Sequence, residues 1–479
     1  MKKLCLTLIC FGFCFYYAAA QDTHYWAQEY NPAGFLTPGA AVALTRDSGV
    51  LYFNPALLAF NTKNSASISG SVYQFNSAKI KNGVGTGYPL KSTNVSIIPV
   101  VASGVIAVKG GKKFTIGYAI IHNPVVDFHS TQQRDDKFNV LNDDYSPGNE
   151  EFIGQYSIQN TVTETAGLLS GGFKVSSRLS LGFSAQTQLR SQHYAQNYSA
   201  RAFVNTTTGN GLPPIVNDQE EFQVSHYNVG LNFRAGLAYD FLRHHLGLTI
   251  TSPLVNLKSN GEILSDDIVT DLRLSPTDTI NLLASSRQTK LKETWKMPLS
   301  IAGGYAYDTN WGQIYVSAEY FSHISEYNII TPRNDYFIRG DGGGSQSFTS
   351  SLLKVKDARK AVTNFGLGVS FILTPEVTGY VSGRTDFSYA DKNLFADDDG
   401  HTVNTAYYNN YHGQIGANLK RRKFNLRMGL LLTYGHTSQY MQAYNFNTPH
   451  ESNFLNGETV NSPATNFVVG LMFAYIHNL

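Results

Sequence analysis

The chain holds three cysteines, and all of them, Cys5, Cys10 and Cys14, lie within its first fourteen residues. Lys2 and Lys3 precede an apolar run from Leu4 to Tyr17, and Ala18-Ala19-Ala20 close it. A positive start, a short apolar stretch and a small-residue exit predict a secretory signal peptide over 1–20, cut before Gln21. A lipid anchor on Cys14 is the alternative, but Phe11-Gly12-Phe13 is a poor match to the small residues such a site prefers. Removal of the leader leaves no cysteine, which excludes disulfides, thiolate metal sites and cysteine nucleophiles. Charge is also scarce. Charged residues make up 15% of the chain, and loss of Lys2 and Lys3 leaves 35 basic against 35 acidic side chains. Nucleic-acid binding would need a basic bias, and none is present. The apolar runs are too short for an ordinary transmembrane helix. No His-Glu-x-x-His, phosphate-binding loop or Gly-x-Ser-x-Gly occurs, so no enzyme class, cofactor or metal is indicated. A Ser/His triad needs no local motif, so a membrane-embedded esterase stays open.

What the chain has instead is 29 Tyr, 29 Phe and 42 Gly. It also has alternation. Leu179, Leu181, Phe183, Ala185 and Leu189 share one face, opposite Ser180, Ser184, Gln186, Gln188 and Arg190. Tyr227, Val229, Leu231, Phe233, Leu237 and Tyr239 alternate with Asn228, Gly230, Asn232, Arg234, Gly236 and Asp240. Ile314, Val316, Ala318 and Tyr320 oppose Gln313, Ser317 and Glu319, and Phe424 to Tyr434 repeats the pattern. In a transmembrane strand alternate side chains meet lipid and lumen for about ten positions, whereas strands of a soluble sandwich run to about five or six. Tyrosines at the segment ends suit an aromatic belt.

Strands are expected near 64–76, 92–108, 112–127, 155–174, 177–201, 221–241 and 243–258. The second half adds 289–308, 311–330, 356–373, 375–390, 405–420, 423–438 and 464–476. Short turns follow the even strands, at Gly110-Gly111, Leu242-Arg243 and Arg421-Arg422 among others. Long polar loops follow the odd ones, at 128–154, 202–220, 259–288, 331–355, 391–404 and 439–463. The fold class is all-β: a transmembrane antiparallel β-barrel of about 14 strands, with short periplasmic turns and long external loops. His244-His245 reads as a solvated pair in a turn. Asp397-Asp398-Asp399-Gly400 reads as a solvated loop before a calcium site, and Gly340-Asp341-Gly342-Gly343-Gly344-Ser345 as a loop tip.

Ahead of the first strand lies Asp47-Ser48-Gly49-Val50-Leu51-Tyr52-Phe53-Asn54-Pro55-Ala56. Asn-Pro is a turn dipeptide. Taken alone it reads as a turn that ends a short apolar run; placed between a leader and a barrel, this apolar, Gly-containing segment is instead expected to fold inward as a plug (hatch) in the lumen. The domains are then 1–20 signal peptide, 21–63 plug and 64–479 barrel. In the third strand, His122-Asn123-Pro124 is a possible break, because Pro124 cannot donate a ladder hydrogen bond. A strand that simply ends there is the alternative.

Together the leader, the Gly/Ala-rich segment with Asn54-Pro55-Ala56 and the fourteen strands resemble the FadL family of outer-membrane transporters for long-chain fatty acids and other hydrophobic compounds. Trp295-Lys296-Met297-Pro298, continued by Ile301-Ala302-Gly303-Gly304-Tyr305, is similar to a second pattern of that family. Gly470, Phe473 and Tyr475 resemble the C-terminal signal read by the barrel-assembly machinery. Pro38 departs from the family, which often has glycine there. The resemblance implies passive uptake of a hydrophobic ligand, by default a long-chain fatty acid, with Asn54, Pro55 and Ala56 fixing the plug and Leu51, Tyr52, Phe53 and Leu57 bordering the ligand path. It also implies a kinked third strand, with Asn123 and Pro124 at a lateral opening toward outer-membrane lipid. Two other functions are weighed: a barrel that docks a partner in protein export or surface assembly, and an open polar porin, against which the plug argues.

Overall fold

The computed structural model describes residues 23–26, 40–43, 50–60, 64–107, 114–206, 213–275, 278–339, 348–391, 400–403 and 408–479. The leader with its cysteines, Asp47–Gly49, Gly110-Gly111, 340–345 and Asp397–Asp399 lie outside these residues.

Nineteen strands are present among the described residues: β1 (Ser65–Ile80), β2 (Leu90–Ala107), β3 (Phe114–Phe138), β4 (Glu150–Lys174), β5 (Leu179–Phe203), β6 (Ile215–Phe241), β7 (His244–Thr251), β8 (Val255–Ser275), β9 (Asp278–Leu291) and β10 (Ser300–Asp308). They continue as β11 (Gly312–Phe321), β12 (Ile324–Ile330), β13 (Val355–Arg359), β14 (Val362–Ile372), β15 (Val377–Asp386), β16 (His401–Thr402), β17 (Asn409–Lys420), β18 (Phe424–Met441) and β19 (Asn461–Asn478). Fourteen of them, β1–β7, β10, β11, β14, β15 and β17–β19, pair in an antiparallel ring that closes through β1–β19 and β5–β6. This is the number and class that the alternation predicts.

Near the short turns, the wall turns its apolar side chains outward. Leu169, Leu181, Phe183, Leu248, Ile250, Val316, Leu367, Ile415 and Leu471 are exposed, while Ser170, Ser184, Gln188, Thr249, Ser317, Ser370 and Gln414 are buried inside. An apolar outer band with a polar interior defines a membrane-spanning barrel. No helix among the described residues is long and apolar enough to cross a membrane.

The strands extend beyond that band, and several expected boundaries change. β3 continues past Pro124 to Phe138, β4 starts at Glu150, and β6 starts at Ile215. The expected loop 259–288 is largely the hairpin β8–β9. Expected single strands 243–258, 289–308, 311–330 and 356–373 are each interrupted, at 252–254, 292–299, 322–323 and 360–361. The physical reason is an inversion of the pattern. Along upper β4, Tyr156, Ile158 and Val162 point inward and are buried, whereas Gln155, Ser157, Gln159 and Thr161 point outward. The outer face here is polar and the inner face builds a water-soluble type of core.

That core caps the barrel. Tyr444 stacks on Tyr198 with centroids 4.0 Å apart, and Phe446 packs edge-on to Phe152 at 6.2 Å. Two buried carboxylates tie the loops down. Glu150 accepts from Val140 N at 2.8 Å and Ser146 Oγ at 2.7 Å; Glu451 accepts from Tyr145 OH and from Arg273 N at 2.7 Å. His244 is exposed and hydrogen-bonds Tyr305 OH. His245, expected to be solvated, is instead buried, with Nδ1 2.8 Å from Asp240 and Nε2 3.1 Å from Asp308, because the ladder continues to His244 and turns residue 245 into the lumen.

Candidate ligand cavity

The lumen of the apolar band is occupied by α1 (Ala40–Ala43), α2 (Val50–Phe53) and a 3-10 turn at Pro55–Phe60. Val50, Leu51, Ala56, Leu57 and Leu58 pack against Val101, Val105, Ala119, Ile121, Ala166, Leu168 and Ala238 of the wall. Burial of each leucine contributes roughly 1.5–3 kcal/mol. Glycines on successive strands make the room. A Cβ on Gly172 would fall 2.6 Å from Ala59 N, and one on Gly182 would overlap the Pro55–Ala56 peptide. Gly117, Gly236, Gly247 and Gly304 accommodate Leu51, Asn54, the Val42 carbonyl and the Val42 side chain in the same way.

Asn54 is fully buried and uses its whole amide. Oδ1 accepts from Ala56 N at 3.0 Å, and Nδ2 donates to Val42 O at 2.8 Å and to Leu237 O at 3.1 Å. One side chain thus joins α1, the 3-10 turn and strand β6. Pro55 begins the turn, where a missing N–H costs nothing. Tyr52 and Phe53 meet edge-to-face at 5.3 Å and line a cavity above the plug, whereas Leu51 and Leu57 pack between plug and wall and do not line it. Burial pushes the Tyr52 phenol above its ordinary value, which keeps it neutral.

The cavity has a volume of about 170 Å³. Tyr25, Trp26, Tyr52, Phe53, Trp295, Phe321 and Tyr389 supply an aromatic lining. Tyr25 belongs to a strap, Thr23–Trp26, held against β11, β15 and the segment 386–389, with its ring stacked on Phe321 at 4.1 Å. Trp26 Nε1 donates to Glu319 Oε2 at 2.7 Å, and Arg384 Nη2 donates to Trp26 O at 3.1 Å. Charges are spread among the rings. Arg190 pairs with Glu164 at 2.7 Å, and its guanidinium lies 3.8 Å from the Trp295 ring centroid. Arg359, bonded to Asp357 at 3.0 Å, lies 4.5 Å from that centroid, and Arg234 stands 4.9 Å over Tyr52. Arg234 Nη1, Trp295 Nε1, Thr249 Oγ1 and Ser317 Oγ are buried without a hydrogen-bond partner among the described residues. Buried polar atoms of native proteins are nearly always paired, so these mark places for a ligand or water.

On one side the cavity reaches the wall at Ile121, Asn123 and Val125. The β2–β3 ladder runs from Ala107–Thr115 to Val101–Ile121 and stops there. Above it, side chains bridge the two strands: Asn94 Nδ2 to Asp127 O, His129 N to Ser92 Oγ at 3.2 Å, and Lys91 N to Ser130 Oγ at 2.8 Å. Between lies a stretch of β3, 122–126, without backbone pairing to β2, and the β3–β4 register shifts at Pro124/Val126. At about 3.3 Å per residue this window is roughly 16 Å long.

Sequence reasoning placed Arg190, Arg234 and Glu319 on polar strand faces but did not join them, and it did not single out Trp26. A usable signal was rarity: of the three tryptophans in the chain, Trp26 and Trp295 line the cavity. Asp397–Asp399 lie outside the described residues, among which no cluster of metal-ligating side chains occurs.

A closed barrel with short helical turns in its lumen and a cavity above them is the architecture that the described residues define. The chain shares this fold with solved channels of the FadL type. It resembles a FadL homologue from Pseudomonas aeruginosa at a TM-score of 0.56 and 14% identity, over 94% of this chain and 98% of that one. It resembles the Pseudomonas putida toluene transporter TodX at 0.55 and 14%, over 94% and 96%. The monoaromatic hydrocarbon channel CymD gives 0.51 and 10%, over 94% and 99%. No family model matches the chain, and no curated protein matches it by sequence.

Proposed function

We propose that this chain is a FadL-family channel of an outer membrane, reached by signal-peptide-directed export. In this reading 21–63 is the plug and 64–479 the barrel, which takes up hydrophobic small molecules passively. The observation that carries the reading is the cavity: ringed by aromatic side chains, held between plug and cap, and open toward the unpaired stretch at Asn123. A cavity of about 150 Å³ holds benzene when its walls are apolar; this one has comparable volume, and the aromatic part of its lining is the place for a single ring, beside Arg190, Arg234, Glu164 and Glu319. Toluene and monoaromatic hydrocarbons are what two of the structural neighbours carry by name. A long-chain fatty acid, the default from the sequence, requires the Thr23–Trp26 strap to leave.

Exit follows from energetics. A ligand gains about 0.8 kcal/mol per buried CH₂, and that gain is returned if it leaves into water but kept if it passes sideways into lipid. Asn123 and Pro124 frame that lateral path, and Asn54, Pro55 and Ala56 hold the plug that closes the axial one. The test is uptake of a labelled monoaromatic and a labelled fatty acid by proteoliposomes. Saturable uptake of either supports the channel. Absence of both, with an intact barrel, favours the reading in which the tall polar sheet of β3–β6 and β8 docks a protein partner. High ion conductance would favour a porin.

A further inference from the structure

We propose that the rim formed by the short turns is a binding surface for anionic glycerophospholipid headgroups of the leaflet it borders. The inference rests on the barrel and is independent of what the lumen carries. The described turns and strand ends hold Lys174, Arg178, Arg243, Lys420, Arg421, Arg422 and Lys423 against three carboxylates, Asp240, Asp308 and Glu376. Each carboxylate is engaged within the protein. Asp240 and Asp308 grip the two nitrogens of His245, and Glu376 pairs with Arg421 at 2.5 Å. A chain of balanced total charge therefore presents a cationic excess at this one end.

The rim is also apolar where a soluble surface would not be. Leu242 is 79% exposed, Leu373 59% and Trp311 50%. Leu242 holds φ at 54°, a left-handed backbone that favours Gly or Asn and strains a leucine. A strained, almost fully exposed leucine is an expensive choice for a turn facing water, and a suitable one for a turn dipping into acyl chains. Its neighbours match. The Arg178 guanidinium lies 4.9 Å over the Phe241 ring, and Asp240 N donates to Arg178 O at 2.8 Å, so the 175–178 and 242–243 turns stand side by side. Aromatic and aliphatic groups set in lipid, with guanidinium and ammonium groups at headgroup height, are the recognition pattern for phosphate diesters at a bilayer surface.

Trp311 serves as the reporter. The refolded chain is placed in phosphatidylcholine vesicles containing 20% phosphatidylglycerol, with bromine on the acyl chains of one lipid or the other. The Trp311→Phe signal is subtracted to isolate this residue. Brominated phosphatidylglycerol is expected to quench Trp311 about fivefold more per mole fraction than brominated phosphatidylcholine. The ratio should fall toward one in 0.5 M salt and in the variant Arg178→Gln/Arg243→Gln/Arg422→Gln/Lys423→Gln. Circular dichroism and heat-modifiable mobility check that this variant keeps its barrel. Equal quenching by both lipids in the unaltered chain overturns the proposal, and so does an enrichment that survives the four substitutions. If the variant does not refold, the salt series on the unaltered chain decides alone: a ratio that does not move with salt overturns it.

Discussion

Replacing Asn54 with alanine should open the barrel without unfolding it. The side chain satisfies the buried carbonyl of Val42, the part-buried carbonyl of Leu237 and the buried N–H of Ala56. Each buried group left unpaired costs about 1–3 kcal/mol, so the loss is on the order of 3 kcal/mol. That is comparable to the roughly 1.5–3 kcal/mol from burying one of the plug leucines. It is confined to the plug, because the strand ladder uses none of these bonds except through the Leu237 carbonyl. Asn54→Asp sharpens the test. Aspartate keeps the acceptor for Ala56 N but turns two donors into acceptors aimed at carbonyl oxygens, so it should loosen the plug at least as much as alanine. The assay is ion conductance in planar bilayers, with hydrogen exchange of residues 50–60 alongside. The expected outcome is conductance rising from near closure to open events, with faster exchange in the plug and unchanged heat-modifiable mobility. Unchanged conductance and exchange in Asn54→Ala would refute the reasoning. A silent Asp variant beside a disruptive Ala variant would show that the bond to Ala56, not the two donors, holds the plug.

Other consequences are equally open to measurement. Gly182→Val drives a side chain into the Pro55–Ala56 peptide, and limited proteolysis should then cut the plug while the barrel resists. Trp26→Ala removes the indole that donates to Glu319, enlarges the cavity, and should shift preference from single-ring toward longer ligands in competition binding. Cysteines at Ser92 and Ser130, which flank the β2–β3 seam, joined by a short thiol cross-linker in the chain from Gln21, should stop delivery into the bilayer while binding persists. His401 is half-buried and stacked on Phe222 at 3.7 Å, and desolvation depresses its imidazole to about 4. The unfolded segment then binds more protons than the folded one between about pH 4 and 6.5. The contribution of neutral His401 is therefore full above the unfolded value of 6.5 and falls with pH, by on the order of 3 kcal/mol at most by pH 4. Hydrogen exchange of 400–403 should quicken at pH 5 relative to pH 7, and His401→Phe should flatten that dependence.

The sequence carries the barrel where physics forces a binary pattern on it. Leu179, Leu181 and Phe183 must face lipid while Ser180, Ser184 and Gln186 face the lumen, so the strands of the apolar band can be read with a pencil. The pattern fails where the lipid ends. Upper β4 buries Tyr156 and Ile158 inward beneath the cap, and β8–β9 carries polar residues on the side away from it, so those stretches look like loop. Asn54-Pro55-Ala56 stands out in the sequence as a turn, and in the structure the Asn54 amide joins α1, the 3-10 turn and β6. The cavity was not legible, since Trp26, Arg190, Trp295, Glu319 and Arg359 come from five separate segments, and each alone looks like an ordinary polar or aromatic side chain. The window at Asn123 was half visible. Pro124 announces a break in pairing, but the sequence does not reveal that β3 continues beyond it to Phe138.

The most direct test of the central claim uses the two tryptophans of the cavity. With Trp311→Phe removing the third, fluorescence reports on Trp26 and Trp295 alone, and a brominated monoaromatic compound is titrated in. A bound ligand should quench both, with a saturable curve that an unbrominated hydrocarbon competes away and that Trp295→Phe reduces by the share of that residue. Quenching that rises linearly with ligand and cannot be competed would mean simple partition into lipid or detergent, and the account of a hydrophobic-compound channel would be wrong.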